Sequence, residues 1–178
     1  FTGEVEARGA GTDFLSPHTR LEARARIDRF RFGGYDLDHI TARAHVRNGQ
    51  LEALLKSSNP LLQGSISLTG QTDGRQLKAH VNGGFDRLDL FRLRLLDQDV
   101  RMAFHVNLDM ESNGKDFYKL QGRMNDITLL DSSKTYRLGA INANLFTRRD
   151  TTHAAMTCGD FELRVNSRGG YAYIYNKG

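Results

Sequence analysis

The side chains able to do chemistry are dispersed along the chain. There are six histidines and one cysteine in 178 residues. His45, His80 and His105 lie on the polar sides of alternating runs, with arginine, lysine or asparagine nearby. They read as solvated strand histidines. No H-E-x-x-H spacing occurs, so the paired ligands of a zinc hydrolase are missing. Asp109, Glu111, Asn113 and Gly114 imitate the opening of a calcium loop, D-x-D-x-N-G. The glutamate that should close the loop with both oxygens is replaced by Leu120, and the flanks alternate like strands. An ordinary hairpin loop is expected there. Gly9-Ala10-Gly11-Thr12 lacks the lysine of a phosphate loop and the third glycine of a dinucleotide fingerprint. Asp86, Asp89, Asp97 and Asp99 offer carboxylates for acid–base work. With no pocket legible, they read as the solvated side of the segment 85–97. Cys158, being alone, can form neither an intrachain disulfide nor a cysteine-rich zinc module. No nucleophile, base and orienting group can be brought together. A non-enzymatic protein with no metal and no cofactor is expected.

Charge points weakly to an anionic partner. The formal net charge is +4, with 25 basic against 21 acidic residues. Arg20, Arg24, Arg26, Arg29 and Arg31, with Phe30 and Phe32, suggest a basic surface for single-stranded nucleic acid. Such a platform needs arginines and aromatics on one face. Here Phe30 and Phe32 continue the apolar side, so no nucleic-acid partner is expected. A polyanion binder using Arg24, Arg26 and Arg43 is the corresponding alternative, and it would show steep salt dependence.

The elements that carry these residues are strands. Only two prolines and no long Ser/Gly tract occur, and glycines separate short alternating runs. An all-β single domain over 1–178 is therefore expected. Phe1 is not a start methionine, and no signal peptide or apolar run of spanning length appears. The chain reads as a fragment of a longer protein.

The organising stretch is Tyr35 to Lys56. Asn48-Gly49 suits a two-residue turn, because both residues tolerate positive φ. Pairing about it sets Val46 against Leu51, Ala44 against Ala53 and Ala42 against Leu55 on one face. Charged residues take the other. A one-residue slip would exchange the faces, so the register is well specified. A second hairpin is expected around Asp73-Gly74, with Leu68 opposite Ala79, Ile66 opposite Val81 and Gly64 opposite Gly83. Val100 to Met110 alternates cleanly. A loop of about five residues after it would set Leu108 opposite Leu120 and Phe104 opposite Met124. Phase slips follow Ile27 and Leu37, where a bulge or break would bend the sheet. The segment 85–97 fits a helical spacing, and a short amphipathic helix is expected near 85–96.

YRLGAINA at 136–143 matches YDLDHITA at 35–42 in its tyrosine, leucine, isoleucine and alanine. Leu55 and Ser57 align with Met156 and Cys158 at the same offset. Ile27, Phe30 and Phe32 resemble Met124, Ile127 and Leu129 after an indel. A repeat of about 1–68 in about 101–165 is expected, as in stacked β-architectures.

One face is thus long and apolar. It is either a plain core closed by a second sheet, or an open groove. Exposed apolar surface of that extent marks binding sites.

The stretches FTGEVEARGAGTDF, RFGGYDLDHITARAHVRNGQLEALLKSSNPLLQGSISLTG and FDRLDLFRL resemble the AsmA/TamB-like family of bacterial envelope proteins. The resemblance spans 1 to about 168. It implies a strongly curved antiparallel sheet of repeated hairpins, forming a taco-like trough or elongated β-groove. It implies a periplasmic location, with the parent protein anchored in the inner membrane. It implies phospholipid transport between inner and outer membranes or a part in outer-membrane biogenesis, with phospholipid acyl chains and outer-membrane assembly proteins as partners. No catalytic site carries over. The positions it makes groove-lining are Val5, Leu21, Ile27, Phe30, Phe32, Tyr35, Leu37 and Ile40 in the first strands. Val46, Leu51, Leu55, Ile66, Leu68 and Val81 follow in the two hairpins, then Val100, Met102, Phe104, Val106 and Leu108. The alternative is a structural or assembly module with a closed core, engaging partner proteins by β-strand addition.

Overall fold

A computed structural model of the chain describes residues 2–11, 13, 16–32 and 35–168. The side chains of Phe32, Tyr35 and Asp36 and the tail bearing Tyr171, Tyr173 and Tyr175 lie outside the described residues. The described residues form strands and turns with no helix. The strands are β1 (Thr2–Ala10), β2 (Arg20–Phe32), β3 (Tyr35–Leu37), β4 (Ile40–Arg47), β5 (Gln50–Asn59), β6 (Leu62–Thr72) and β7 (Leu77–Asp89). After them come β8 (Val100–Ser112), β9 (Phe117–Asp131), β10 (Lys134–Arg137), β11 (Ile141–Arg148), β12 (Thr151–Cys158) and β13 (Phe161–Arg168).

All ladders are antiparallel. The sheet runs β1-β2-β4-β5-β6-β7-β8-β9-β11-β12-β13, with β3 paired to β2 and β10 to β9 off that path. The sheet does not close, so β1 and β13 are its edges. Each strand makes its substantial contacts with its ladder neighbours alone. The result is a single layer. The chain exposes 12526 Å², against about 8,700 Å² for a compact monomer of this mass. Few apolar side chains are fully buried; Ile40, Val46, Leu61, Ala79 and Ile127 are.

The first hairpin has the expected register, Val46 opposite Leu51, Ala44 opposite Ala53 and Ala42 opposite Leu55. Asn48 and Gly49 take φ of 52° and 75°. The phase slip after Leu37 is a break at Asp38-His39, where His39 has φ 52°. There β2 exchanges its partner β4 for the short β3.

Three expectations are corrected. The second hairpin sets Leu68 against Val81, Ile66 against Gly83 and Gly64 against Phe85, two residues from the expected pairing. The cause is a longer loop. Asp73 Oδ1 accepts the N–H groups of Arg75 (2.8 Å) and Gln76 (2.9 Å), and Thr72 Oγ1 accepts that of Gly74 (3.1 Å). This side-chain turn replaces the two-residue one. The third hairpin likewise shifts by two, giving Met110 opposite Leu120 and Val106 opposite Met124. Asn113 Oδ1 accepts from Lys115, Asp116 and Phe117, which closes the loop tightly. A shift of two leaves every side chain on its expected face.

The helix near 85–96 does not form. Residues 85–89 continue β7, and those after Asp89 wind into a turn. Asp89 is 0% exposed rather than solvated. Its Oδ1 accepts Arg92 N–H (2.9 Å), and Oδ2 lies 3.6 Å from Arg101 Nε. Ladder pairing of the first half thus outcompetes a short helical pattern, and a buried carboxylate wires the second half.

The second half of the sheet repeats the pairing of the first. Strand β10 stands to β9 as β3 stands to β2. Ile40 pairs with Ser57 and Ile141 with Cys158; Ile27 pairs with Ile40 and Met124 with Ile141. Asn48 and Arg149 hold nearly the same positive φ, 52° and 54°.

Candidate functional site

Alternation within each strand and register between strands together build one continuous surface. Directly opposite residues share a face. One row crosses the whole path: Val5, Ala25, Ala42, Leu55, Ile66, Gly83, Val106, Met124, Ile141, Cys158, Phe161. The next row is Ala7, Ala23, Ala44, Ala53, Leu68, Val81, Leu108, Gly122, Ala143, Met156, Leu163. A third runs from Gly9 and Leu21 through Val46, Leu51, Gly70, Ala79, Met110, Leu120, Leu145 and Ala154 to Val165. No polar side chain but the Cys158 thiol interrupts these rows. At ladder spacing they span about 48 Å.

The rows between them face the opposite side and are mostly polar. One contains Glu6, Arg24, Arg43, Leu54, Ser67, Asn82, Asn107 and Arg123. Arg24 pairs with Glu22 (2.9 Å), and Arg26 with Asp28 (3.1 Å) and Glu4 (3.4 Å). His80 Nδ1 meets Asp109 Oδ1 at 2.8 Å. The arginine side is therefore laced with carboxylates, which lowers its field for a polyanion. No cluster of three metal-ligating side chains occurs among the described residues.

The apolar side has relief. Its β1–β5 end is floored by alanines: Ala7, Ala23, Ala25, Ala42, Ala44 and Ala53. Over that floor lies a hollow of about 380 Å³, walled by Val5, Leu55, Ile66 and Leu68. Toward β7–β9 the side chains are larger. Phe85 and Phe104 pack at a ring distance of 5.7 Å, tilted by 59°.

The expected lining residues fall into place unevenly. Leu21, Val46, Leu51, Leu55, Ile66, Leu68, Val81, Val106 and Leu108 lie in the three rows. Ile27 and Ile40 share the adjoining row with Phe85 and Phe104. Met102 and Val100 extend it toward the β7–β8 turn. Phe30 and Leu37 pair in the β2–β3 side ladder, away from the rows. Phe32 and Tyr35 pair there too, with side chains outside the described residues. The alanine floor, and Met110, Leu120, Met124, Leu145, Met156 and Leu163 in the second half, were not among the expected lining residues. The signal for both is the same period-two alternation, within β1–β5 for the alanines and carried past residue 108 for the rest. Among the expected residues, Ile40 and Val46 are buried, Val5 on the edge strand is exposed, and the others with described side chains are half-buried.

Among the described residues, the carboxyl held away from its ordinary titration lies away from this surface. Backbone N–H groups of Gln76 and then Arg75 hold the Asp73 carboxyl below its ordinary value. It stabilises a turn and faces no site. Compared with known protein families, curated proteins and solved structures, the chain matches none.

Proposed function

We propose that the apolar side of this sheet is a lane for lipid acyl chains, and that the protein is a non-enzymatic module of the bacterial envelope. The observation that carries this reading is the set of three apolar rows, interrupted by the Cys158 thiol alone, on a sheet with no second layer. A surface of that size in water is costly, and each methylene moved onto it from water gains about 0.8 kcal/mol. An acyl chain suits it because the lane offers continuous apolar contact without any polar group to satisfy. The sheet's own ladders satisfy its backbone, which is the condition for lipid contact along a β-surface.

In this reading the sheet curves into a trough. The register shifts at Gln63/Gly64, Phe85/Leu88 and Ala103/His105 support local bending. The matching pairings of β2–β5 and β9–β12 are read as two copies of one unit, set side by side to lengthen the lane. The AsmA/TamB-like resemblance supplies the setting: a periplasmic segment of an inner-membrane-anchored protein, moving phospholipid between membranes or serving outer-membrane biogenesis.

The test is native mass spectrometry of the protein purified from bacteria, followed by lipid extraction. The expected result is co-purified phospholipid that is lost in Phe104→Asp. A lipid-free protein that takes up no acyl probe would overturn the reading.

A second reading has its own observation. Both edge strands are open, and Phe161, Leu163 and Val165 of β13 are exposed. An assembly module could accept a partner strand there. It predicts partner binding that Phe104→Asp leaves unchanged and a proline in β13 abolishes.

A further inference from the structure

We infer that the turn between β7 and β8 is a docking tip for a lipid bilayer surface. Of the ten large apolar side chains exposed among the described residues, six lie at one end of the strands: Phe91, Leu95, Leu96, Tyr136, Leu138 and Phe161. The described residues of the turns at the opposite end, 11–19, 48–49, 73–76, 113–116 and 149–150, include none of them. Among the described residues the sheet is thus polarised along its strands.

The tip itself is built to present side chains. Leu93 N–H donates to Asp89 O (3.0 Å), Arg94 N–H to Phe91 O (2.8 Å), and Leu95 and Leu96 N–H both to Leu90 O (2.8 and 3.2 Å). The buried Asp89 carboxylate takes Arg92 N–H, as described above. The backbone is therefore wired, while Leu95 is 64% exposed and Phe91 and Leu96 nearly half exposed. A wound turn holding apolar side chains outward is organised for contact.

The shape of the contact selects the occupant. A specific protein partner needs roughly 800 Å² per side and a complementary surface. The three exposed side chains of one turn supply far less. A bilayer needs no complementary shape, only insertion of apolar groups below the headgroups, with cations nearby. Arg92 is exposed beside Phe91 and suits a lipid phosphate. The tip also adjoins the apolar lane, through Leu88 opposite Met102 and through Leu90, whose N–H donates to Val100 O (3.0 Å). A tip at the end of the lane would let lipid pass between bilayer and sheet. That purpose rests on the acyl-lane reading; the docking does not.

The experiment is flotation of the whole 178-residue chain with phosphatidylcholine vesicles, with and without phosphatidylglycerol. Leu95→Asp, at an exposed site where folding is not at stake, accompanies the triple variant F91S/L95S/L96S. Circular dichroism and gel filtration check each protein, and loading with a fluorescent acyl probe from detergent is read separately. The expected result is flotation of the native chain, a fall in partitioning of about tenfold or more in both variants, and unchanged acyl loading. Absence of flotation by the native chain, or equal flotation of all three, overturns the tip whatever the acyl loading. A native dimer that the triple variant converts to monomer makes the tip a self-interface and also overturns it. Tip-dependent flotation without acyl loading sustains the tip and overturns the lane.

Discussion

Ala44→Leu separates the lane from the sheet that carries it. Ala44 lies in the centre of the alanine floor, opposite Ala23 on β2 and Ala53 on β5. It lines the hollow of about 380 Å³ with Ala42, Leu55 and Leu68. Leucine adds three carbons pointing into that hollow. On the sheet these carbons gain partial burial against Ala23, Ala53 and Leu68, so folding should be unchanged or improved by up to about 1 kcal/mol. On an acyl chain the effect is opposite. A leucine standing in the hollow displaces about three methylenes from the floor, a loss near 2.4 kcal/mol at 0.8 kcal/mol each. That is roughly a 60-fold weakening of affinity. The assay is titration with a fluorescent fatty acid, beside thermal unfolding of the same sample. A variant that folds as well as the native chain and binds the probe within twofold of it would refute the alanine floor as a binding surface.

Three further outcomes follow from single residues. Gly83→Val should destabilise the sheet by about 2 kcal/mol or more, since a Cβ there would meet Ser65 O at 2.1 Å and Ile66 Cα at 2.8 Å; urea unfolding measures it. Asp89→Ala should cost about 3 kcal/mol, because it removes a fully buried carboxylate and leaves Arg101 and the Arg92 amide without it. Hydrogen exchange of the 90–96 amides should then accelerate together. Asp73 should titrate below an ordinary aspartate by carboxyl NMR. Because its folded value is lowered, its contribution to the turn is full above the unfolded value and is lost as pH falls through the folded one. Asp73→Asn should remove that acid-range dependence.

The faces of this sheet were legible in the sequence and the exact partners less so. Side-chain alternation marks Val46, Leu51, Ile66 and Val106 without reference to distant residues, and an Asn-Gly turn fixes its own register. Loops closed by side chains do not announce their length in the same way. Asp73 captures amides to make its loop longer than two residues, Asn113 captures them to close the loop between Ser112 and Tyr118, and in each hairpin the register moves by two. The faces survive because the strand period is two.

The segment after Phe85 departs from the expected helix for a different reason. Phe85, Leu88, Phe91 and Leu95 do recur at helical spacing. The first two, however, complete a β-ladder already begun at Leu77, and Asp89 ends it with a buried carboxylate. Local spacing carries no information about which neighbour is waiting. Alternation places Ala42, Ala44 and Ala53 on the apolar face but does not mark them as a floor, because small side chains are weak signals of a surface whose depth depends on their smallness. The open edges and the single layer follow from pairings the strands do not make, which no stretch of residues encodes.

The central claim concerns which side of the sheet meets lipid, and adjacent residues test it best. Val106 lies in an apolar row and Asn107 in the polar row beside Arg123. A photo-crosslinking amino acid placed at each in turn, irradiated in cells, should capture phospholipid at 106 and not at 107. Equal labelling at both positions, or labelling at 107 alone, would contradict the account.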